Sequence, residues 1–184
     1  MRYARLFPLA AFAFIAACSN TDAARAPTAP VARPSLAVVS AINDANAPQG
    51  THLQTGSIGC TVLQDLSVSC STFELSGVGH IDAAVSLVAH YTATILCSNK
   101  GVNPNNSVEA QTQAFTASDD FTARSEKNGR LSVRSALADP NADASGACPN
   151  PNWTATVSNL TLVDFTYSVT FEDFTQPYIL ITGP

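Results

Sequence analysis

From Ile81 to Cys97 the chain alternates. Ile81, Ala83, Val85, Leu87, Ala89, Tyr91, Ala93, Ile95 and Cys97 hold the odd positions, and Asp82, Ser86, His90, Thr92 and Thr94 fall on even ones. A period of two is the repeat of a strand whose side chains point to opposite faces; a helix would need 3.6. The run therefore predicts a long, half-buried strand with one apolar face. Val163, Phe165, Tyr167, Val169 and Phe171 repeat the pattern against Asp164, Thr166, Ser168, Thr170 and Glu172. Just upstream the apolar parity is even, at Leu160 and Leu162, so a bulge is expected at Leu162-Val163. Thr, Ser and Val dominate from Thr51 onward, and charged residues make up only 12% of the chain. That is β composition. It argues against a charge-rich disordered chain and against a basic nucleic-acid binder.

The cysteines constrain the pairing of strands. There are five, at positions 18, 60, 70, 97 and 148. Cys60 and Cys70 share parity, and their midpoint is Asp65. A hairpin turning at Gln64-Asp65-Leu66 would set them directly opposite one another, within Cα reach of a disulfide. With Cys18, at the end of the N-terminal apolar run, set aside, the other four can form two bridges in three ways, and this hairpin favours Cys60–Cys70, leaving Cys97–Cys148. A structural zinc site is disfavoured, because no two cysteines have the close spacing zinc sites use. A second hairpin is expected at Asn128-Gly129. A three-residue loop from Lys127 to Gly129 would place Leu131 opposite Ser125 and Val133 opposite Ala123, which keeps apolar residues together. That is a type I turn with a glycine bulge.

Seven to nine short strands with turns at this spacing imply an all-β, disulfide-stapled, antiparallel two-sheet sandwich of immunoglobulin-like size; an antiparallel barrel is the alternative. The expected domain spans residues 51–184. Residues 18–50 are rich in Ala, Pro, Thr and Ser and read as a flexible tether. One apolar patch interrupts it, Leu36 to Ile42, and reads as a short strand docking on the domain.

The N-terminus carries an address. Arg2 and Arg5 precede an apolar run from Leu6 to Ala17. Twelve helical residues span about 18 Å, short of the ~30 Å hydrocarbon layer, so residues 1–17 read as a secretory signal peptide. The run ends Ile15-Ala16-Ala17-Cys18, which resembles the lipobox of bacterial lipoproteins. The resemblance implies cleavage before Cys18, a diacylglyceryl group on its thiol and an acylated amine (palmitate among the acyl groups). It implies a lipid anchor in the membrane of the cell envelope. Ser19, where inner-membrane retention favours Asp, implies the outer membrane in an organism with two membranes. Without the two arginines of the signal the net charge is -7 rather than -5. Such a surface repels nucleic acid and anionic lipid. Export also suits disulfides.

No motif of high catalytic specificity stands out. Of the three histidines, His52, His80 and His90, none is paired at i,i+2 with another or set in a recognised catalytic motif, and His90 falls on the polar face of its strand. Neither G-x-S-x-G nor Ser-x-x-Lys occurs. The pairs Asp119-Asp120 and Glu172-Asp173 would point to opposite faces of a strand, which prevents either pair from acting alone as glycosidase carboxylates. Asp139, Asn141 and Asp143 have the D-x-N-x-D opening of a calcium loop. Ala144 then stands where an EF-hand needs Gly, and Asn150 where it needs Glu. An Asx-turn is the plainer reading. Arg124, Lys127, Arg130 and Arg134 gather on one hairpin, where charged residues commonly guard a strand edge. Trp153, Tyr167 and Tyr178 would form a sugar platform only if they met on one surface; core positions are the plainer reading.

The stretches Cys97-Ser98-Asn99-Lys100-Gly101-Val102-Asn103-Pro104 and Cys148-Pro149-Asn150-Pro151-Asn152-Trp153 resemble those of small secreted bacterial β proteins of unassigned function. That resemblance covers about 90 residues and implies no activity. The expectation is a non-catalytic, lipid-anchored envelope protein without a cofactor, whose partners are the membrane and an envelope protein or glycan. The rival readings are an envelope hydrolase using scattered carboxylates or histidines, and a calcium-stabilised adhesion-like module.

Overall fold

The computed structural model describes residues 39–99, 107–141, 144, 146–150 and 152–184. Cys18, Asp143 and the signal segment lie outside them. The strands are β1 (Val39–Ile42), β2 (His52–Gly56), β3 (Cys60–Val62), β4 (Val68–Cys70), β5 (Phe73–Ser76), β6 (Ala83–Asn99), β7 (Ser107–Ala123), β8 (Arg130–Val133), β9 (Ala136–Ala138), β10 (Trp153–Phe171) and β11 (Ile179–Gly183). Every pairing is antiparallel. The only helical element among the described residues is one 3-10 turn, Asp44–Asn46.

One layer has five strands in the order β1-β11-β10-β6-β7. The other has two three-stranded sheets, β2-β5-β8 and β3-β4-β9. These are two halves of one creased layer, because β2 runs into β3, β4 into β5 and β8 into β9. Ser71 stitches the crease. Its amide donates to Gly59 O at 2.9 Å, and its hydroxyl reaches Ser57 O and Gly59 O. The core lies between the layers. Val85, Leu87, Ala89, Tyr91, Phe165, Tyr167, Val169 and Phe171 from one side meet Val68, Phe73, Leu75, Leu131 and Val133 from the other. The fold is an all-β sandwich and does not close into a barrel.

The alternation read from Ile81 to Cys97 survives in β6, where all odd residues from Ala83 to Cys97 are buried. The expected bulge is also present. The register of β10 on β6 slips between Leu162 and Asp164, so Leu162 points inward and Val163 is 47% exposed. A second slip lies between Ser158 and Thr161, where Asn159 takes φ 49°.

Three corrections follow. The strands are not uniformly short: β6, β7 and β10 have 17, 17 and 19 residues. Val133 does not pair with Ala123. Beyond the Ser125–Leu131 bridge the two strands separate into different layers, and Val133 pairs with Phe73. The folded unit also begins before residue 51. The apolar patch of the tether docks as expected, β1 pairing with β11, and beyond it Ala47 is buried in the core.

The two hairpin turns share one geometry. Leu63 N donates to Ser67 O and Leu66 N to Leu63 O; Glu126 N donates to Arg130 O and Gly129 N to Glu126 O. The third loop residue is left-handed in both, Gly129 at φ 74° and Leu66 at φ 71°. Glycine occupies that region freely; a leucine there costs roughly 1–2 kcal/mol. Leu66 is held by its surroundings. Its side chain packs on the core, and its carbonyl accepts from the Tyr91 hydroxyl at 3.1 Å. Asp65 caps the turn by accepting from the Ser67 amide and hydroxyl, and these bonds, the hydroxyl's first, hold its carboxyl below the usual value.

The disulfide expected from parity and the one left by it are both formed. Cys60 and Cys70 are register partners with Cα atoms 4.0 Å apart, and Cys97–Cys148 spans 5.7 Å.

Candidate functional site

The outward face of the five-stranded layer presents regular cross-strand rows. Even positions of β6 and β7 and the matching residues of β10 project there, and most carry hydroxyls. Cross-strand rows include Thr112–Thr94–Ser158, Ala114–Thr92–Thr161 and Ser118–Val88–Thr166. In the middle lies the row Thr116–His90–Asp164.

The bulge positions that row. With Val163 extruded, Asp164 faces outward opposite His90, and its Oδ1 lies 2.6 Å from His90 Nδ1. An ionised carboxylate can only accept, so Nδ1 carries the proton. The carboxylate thus fixes the ring's orientation and tautomer. Nε2 makes no hydrogen bond to any described residue. The geometry is that of an oriented imidazole, the arrangement used by general bases and by metal-ligating histidines. Its surroundings differ from those of such centres. Both side chains are about half exposed, 51% and 53%, on an open sheet face. Among the described residues no three of His, Cys, Asp and Glu gather to hold a metal ion.

The remaining histidines are elsewhere. His52 Nδ1 lies 2.8 Å from Gly50 O, and His80 is exposed in a loop. The adjacent carboxylates Asp119 and Asp120 diverge as strand geometry requires. Asp120 points outward and accepts from Ser86 at 2.5 Å. Asp119 points inward. Its two oxygens take a bidentate pair from Arg134 at 2.8 and 2.9 Å, and Oδ2 also accepts the Leu137 amide at 3.1 Å. The Arg134 guanidinium, the first cause, holds the Asp119 carboxyl below its usual value, and that carboxylate raises Arg134 in turn. Arg134 also sits 3.8 Å from the centre of the Phe121 ring. This cluster joins β7 to the edge of β9 and closes that flank of the sandwich.

The basic hairpin is therefore partly consumed by structure. Arg134 is paired as described, and Arg130 lies 3.1 Å from Glu74. Arg124 faces Asp82, whose carboxyl is held low first by the Ser125 amide, then by the Ser125 hydroxyl, with a contribution from Arg124. The aromatic set is dispersed: Tyr167 and Tyr178 are buried in the core, and Trp153 begins β10 at the far end of the sheet. Asp139 and Asn141 are exposed at the end of β9, joined by a bond from the Asn141 amide to the Asp139 carbonyl at 2.7 Å. The third calcium candidate, Asp143, is outside the described residues. A recess lined by Tyr91, Phe115, Thr116, Pro140, Asn141 and Leu160 has about 10 Å³ of free volume, room for one water and not for a small-molecule ligand.

Sequence reasoning placed His90 on the polar face but did not find Asp164. The parity shift at Leu162-Val163 was the available signal. It located the bulge without saying which strand would lie alongside. Comparison with family models, with curated proteins and with solved structures finds nothing that matches this chain.

Proposed function

We propose that this chain is an exported protein anchored to the cell envelope by lipid on Cys18, displaying a disulfide-stapled sandwich as a non-catalytic binding or structural module. The observation that carries the reading is the division of the cysteines. Four are paired in two bridges inside the sandwich, and the fifth, Cys18, ends an apolar signal-like run. Disulfides of this kind persist outside the reducing cytosol. Several acyl chains on one terminus give stable anchoring. In an organism with two membranes, Ser19 directs the protein to the outer one.

The non-catalytic part rests on the His90–Asp164 pair. An imidazole half open to bulk water on a sheet face works at high dielectric, without the water exclusion that strengthens acid–base groups in enzymes. The outward hydroxyl face suits contact with a polar envelope protein or glycan.

The test is the intact mass of the membrane-extracted protein, unreduced and then reduced and alkylated. The expected mass is that of residues 18–184 plus acyl groups, with four thiols released only on reduction. Cys18→Ser should shift the protein to the soluble fraction. A non-acylated mass, or unchanged membrane association of Cys18→Ser, overturns the anchor. A hydrolytic activity abolished by His90→Ala overturns the non-catalytic reading.

A further inference from the structure

The two disulfides differ in what surrounds them. Cys60 and Cys70 are 7% and 1% exposed, and both belong to the shared core. They are register partners on β3 and β4, where Thr61–Ser69 and Val62–Val68 continue the ladder. That ladder keeps the two cysteines opposite one another whether or not they are bonded. Cys97 and Cys148 are unlike each other. Cys97 is fully buried on β6 and lies outside the shared core, whereas Cys148 is partly exposed and belongs to no strand. The hydrogen bonds described for its turn are local. The Ala147 amide donates to Ala144 O at 3.1 Å, and Asn150 accepts from the Asn152 and Trp153 amides at 2.9 and 3.0 Å. Among the described residues, no strand pairing holds Cys148 opposite Cys97.

Thiol–disulfide exchange needs a sulfur that a thiolate can reach, and partners that do not rejoin at once. We infer that Cys97–Cys148 is a thiol-responsive bridge and that Cys148 is the residue to which a small thiol attaches. An external thiolate attacks Cys148 Sγ. The bond to Cys97 breaks, a mixed disulfide forms on Cys148, and Cys97 leaves as a thiolate that takes a proton from water. A second thiolate attacks the small thiol's sulfur in that adduct and releases Cys148. The balance is two small thiols oxidised to their disulfide and one protein bridge reduced to two thiols. Attack in the opposite sense is blocked, because Cys97 presents no surface to solvent. At Cys60–Cys70 both residues are buried, and the ladder returns the thiols to one another. Opening Cys97–Cys148 unties the Cys148 turn from the part of β6 outside the shared core and leaves the β3–β4 hairpin stapled.

The native full chain in graded dithiothreitol tests this. Thiols opened in the folded state are capped with N-ethylmaleimide, and those released later by unfolding and full reduction with iodoacetamide. Peptide mapping should find N-ethylmaleimide on Cys97 and Cys148 at a reductant concentration about ten-fold or more below that needed for Cys60 and Cys70. The circular dichroism spectrum should be unchanged at that concentration. A brief pulse of glutathione, quenched in acid, should trap the mixed disulfide on Cys148 and not on Cys97. Simultaneous opening of both bridges overturns the proposal, as does Cys60–Cys70 opening first or an adduct on Cys97. Opening of Cys97–Cys148 only where the circular dichroism spectrum is already lost also overturns it, because the bridge would then answer to unfolding and not to the thiol.

Discussion

The two halves of β6 have the same alternation and stay dry by different means. From Ala83 to Tyr91 the inward side chains join one continuous core with the creased layer. From Ala93 to Cys97 they are equally buried, yet lie outside that core. There the bridge from Cys97 ties Cys148 to the strand. One half depends on packing between two sheets. The other depends on a crosslink that pins a loop. An identical pattern of apolar residues thus reports that a face is covered without reporting what covers it.

The comparison can be broken at several points. The largest effect should come from Phe165→Ala. Phe165 is 1% exposed, and its loss leaves a cavity worth about 3–5 kcal/mol. Urea denaturation should show one cooperative transition at a lower midpoint, since the core is shared by both layers. Replacing Cys97 and Cys148 together by Ser should cost roughly 2–4 kcal/mol. The loss should be uneven in hydrogen exchange: amides of 92–99 and 153–158 should lose protection before those of 83–89 and 165–171. Uniform loss would mean that the two halves are one unit and that the contrast drawn here is wrong.

A smaller effect is expected at the closed flank. Asp119 has a folded carboxyl held below its ordinary value of 3.8. Its contribution is present above that unfolded value and is lost as the pH falls through the lower folded one. Asp119→Asn should therefore lower the Tm at neutral pH by less than the disulfide replacement does. It should also flatten the acid limb of the stability profile. An unchanged acid limb would remove the bridge from the account of that flank. The smallest change is expected at Tyr167. Its hydroxyl is buried without a hydrogen-bond partner among the described residues, and burial pushes its pKa up. Removing an unpaired buried hydroxyl relieves a desolvation penalty. Tyr167→Phe should be neutral or stabilising by up to about 1 kcal/mol by denaturant melt. A clear destabilisation would reveal an internal water bound to that hydroxyl.

Much of the fold was legible in the residues. Alternation identified the buried face of β6 because a strand repeats every two residues whatever lies beside it. Parity about Asp65 paired Cys60 with Cys70, and Asn128-Gly129 announced its turn through the left-handed residue it needs. β7 was not legible. As an edge strand it is only half-buried on its inward face, whose positions include Gln111, Gln113 and Asp119 beside Phe115 and Phe121, and the alternation dissolves. The candidate site was half legible: His90 was placed on the polar face, but Asp164 is 74 residues away.

The sequence by itself determined what each strand hides and shows, where two turns fall, and which cysteines can meet. Those properties are local, set by backbone geometry over a few residues. Only the tertiary structure decided which strands are neighbours. It brought Asp164 to His90 through a bulge and locked Asp119 to Arg134 across a flank. Such contacts depend on register between distant segments, and register is chosen by the packing of the whole core.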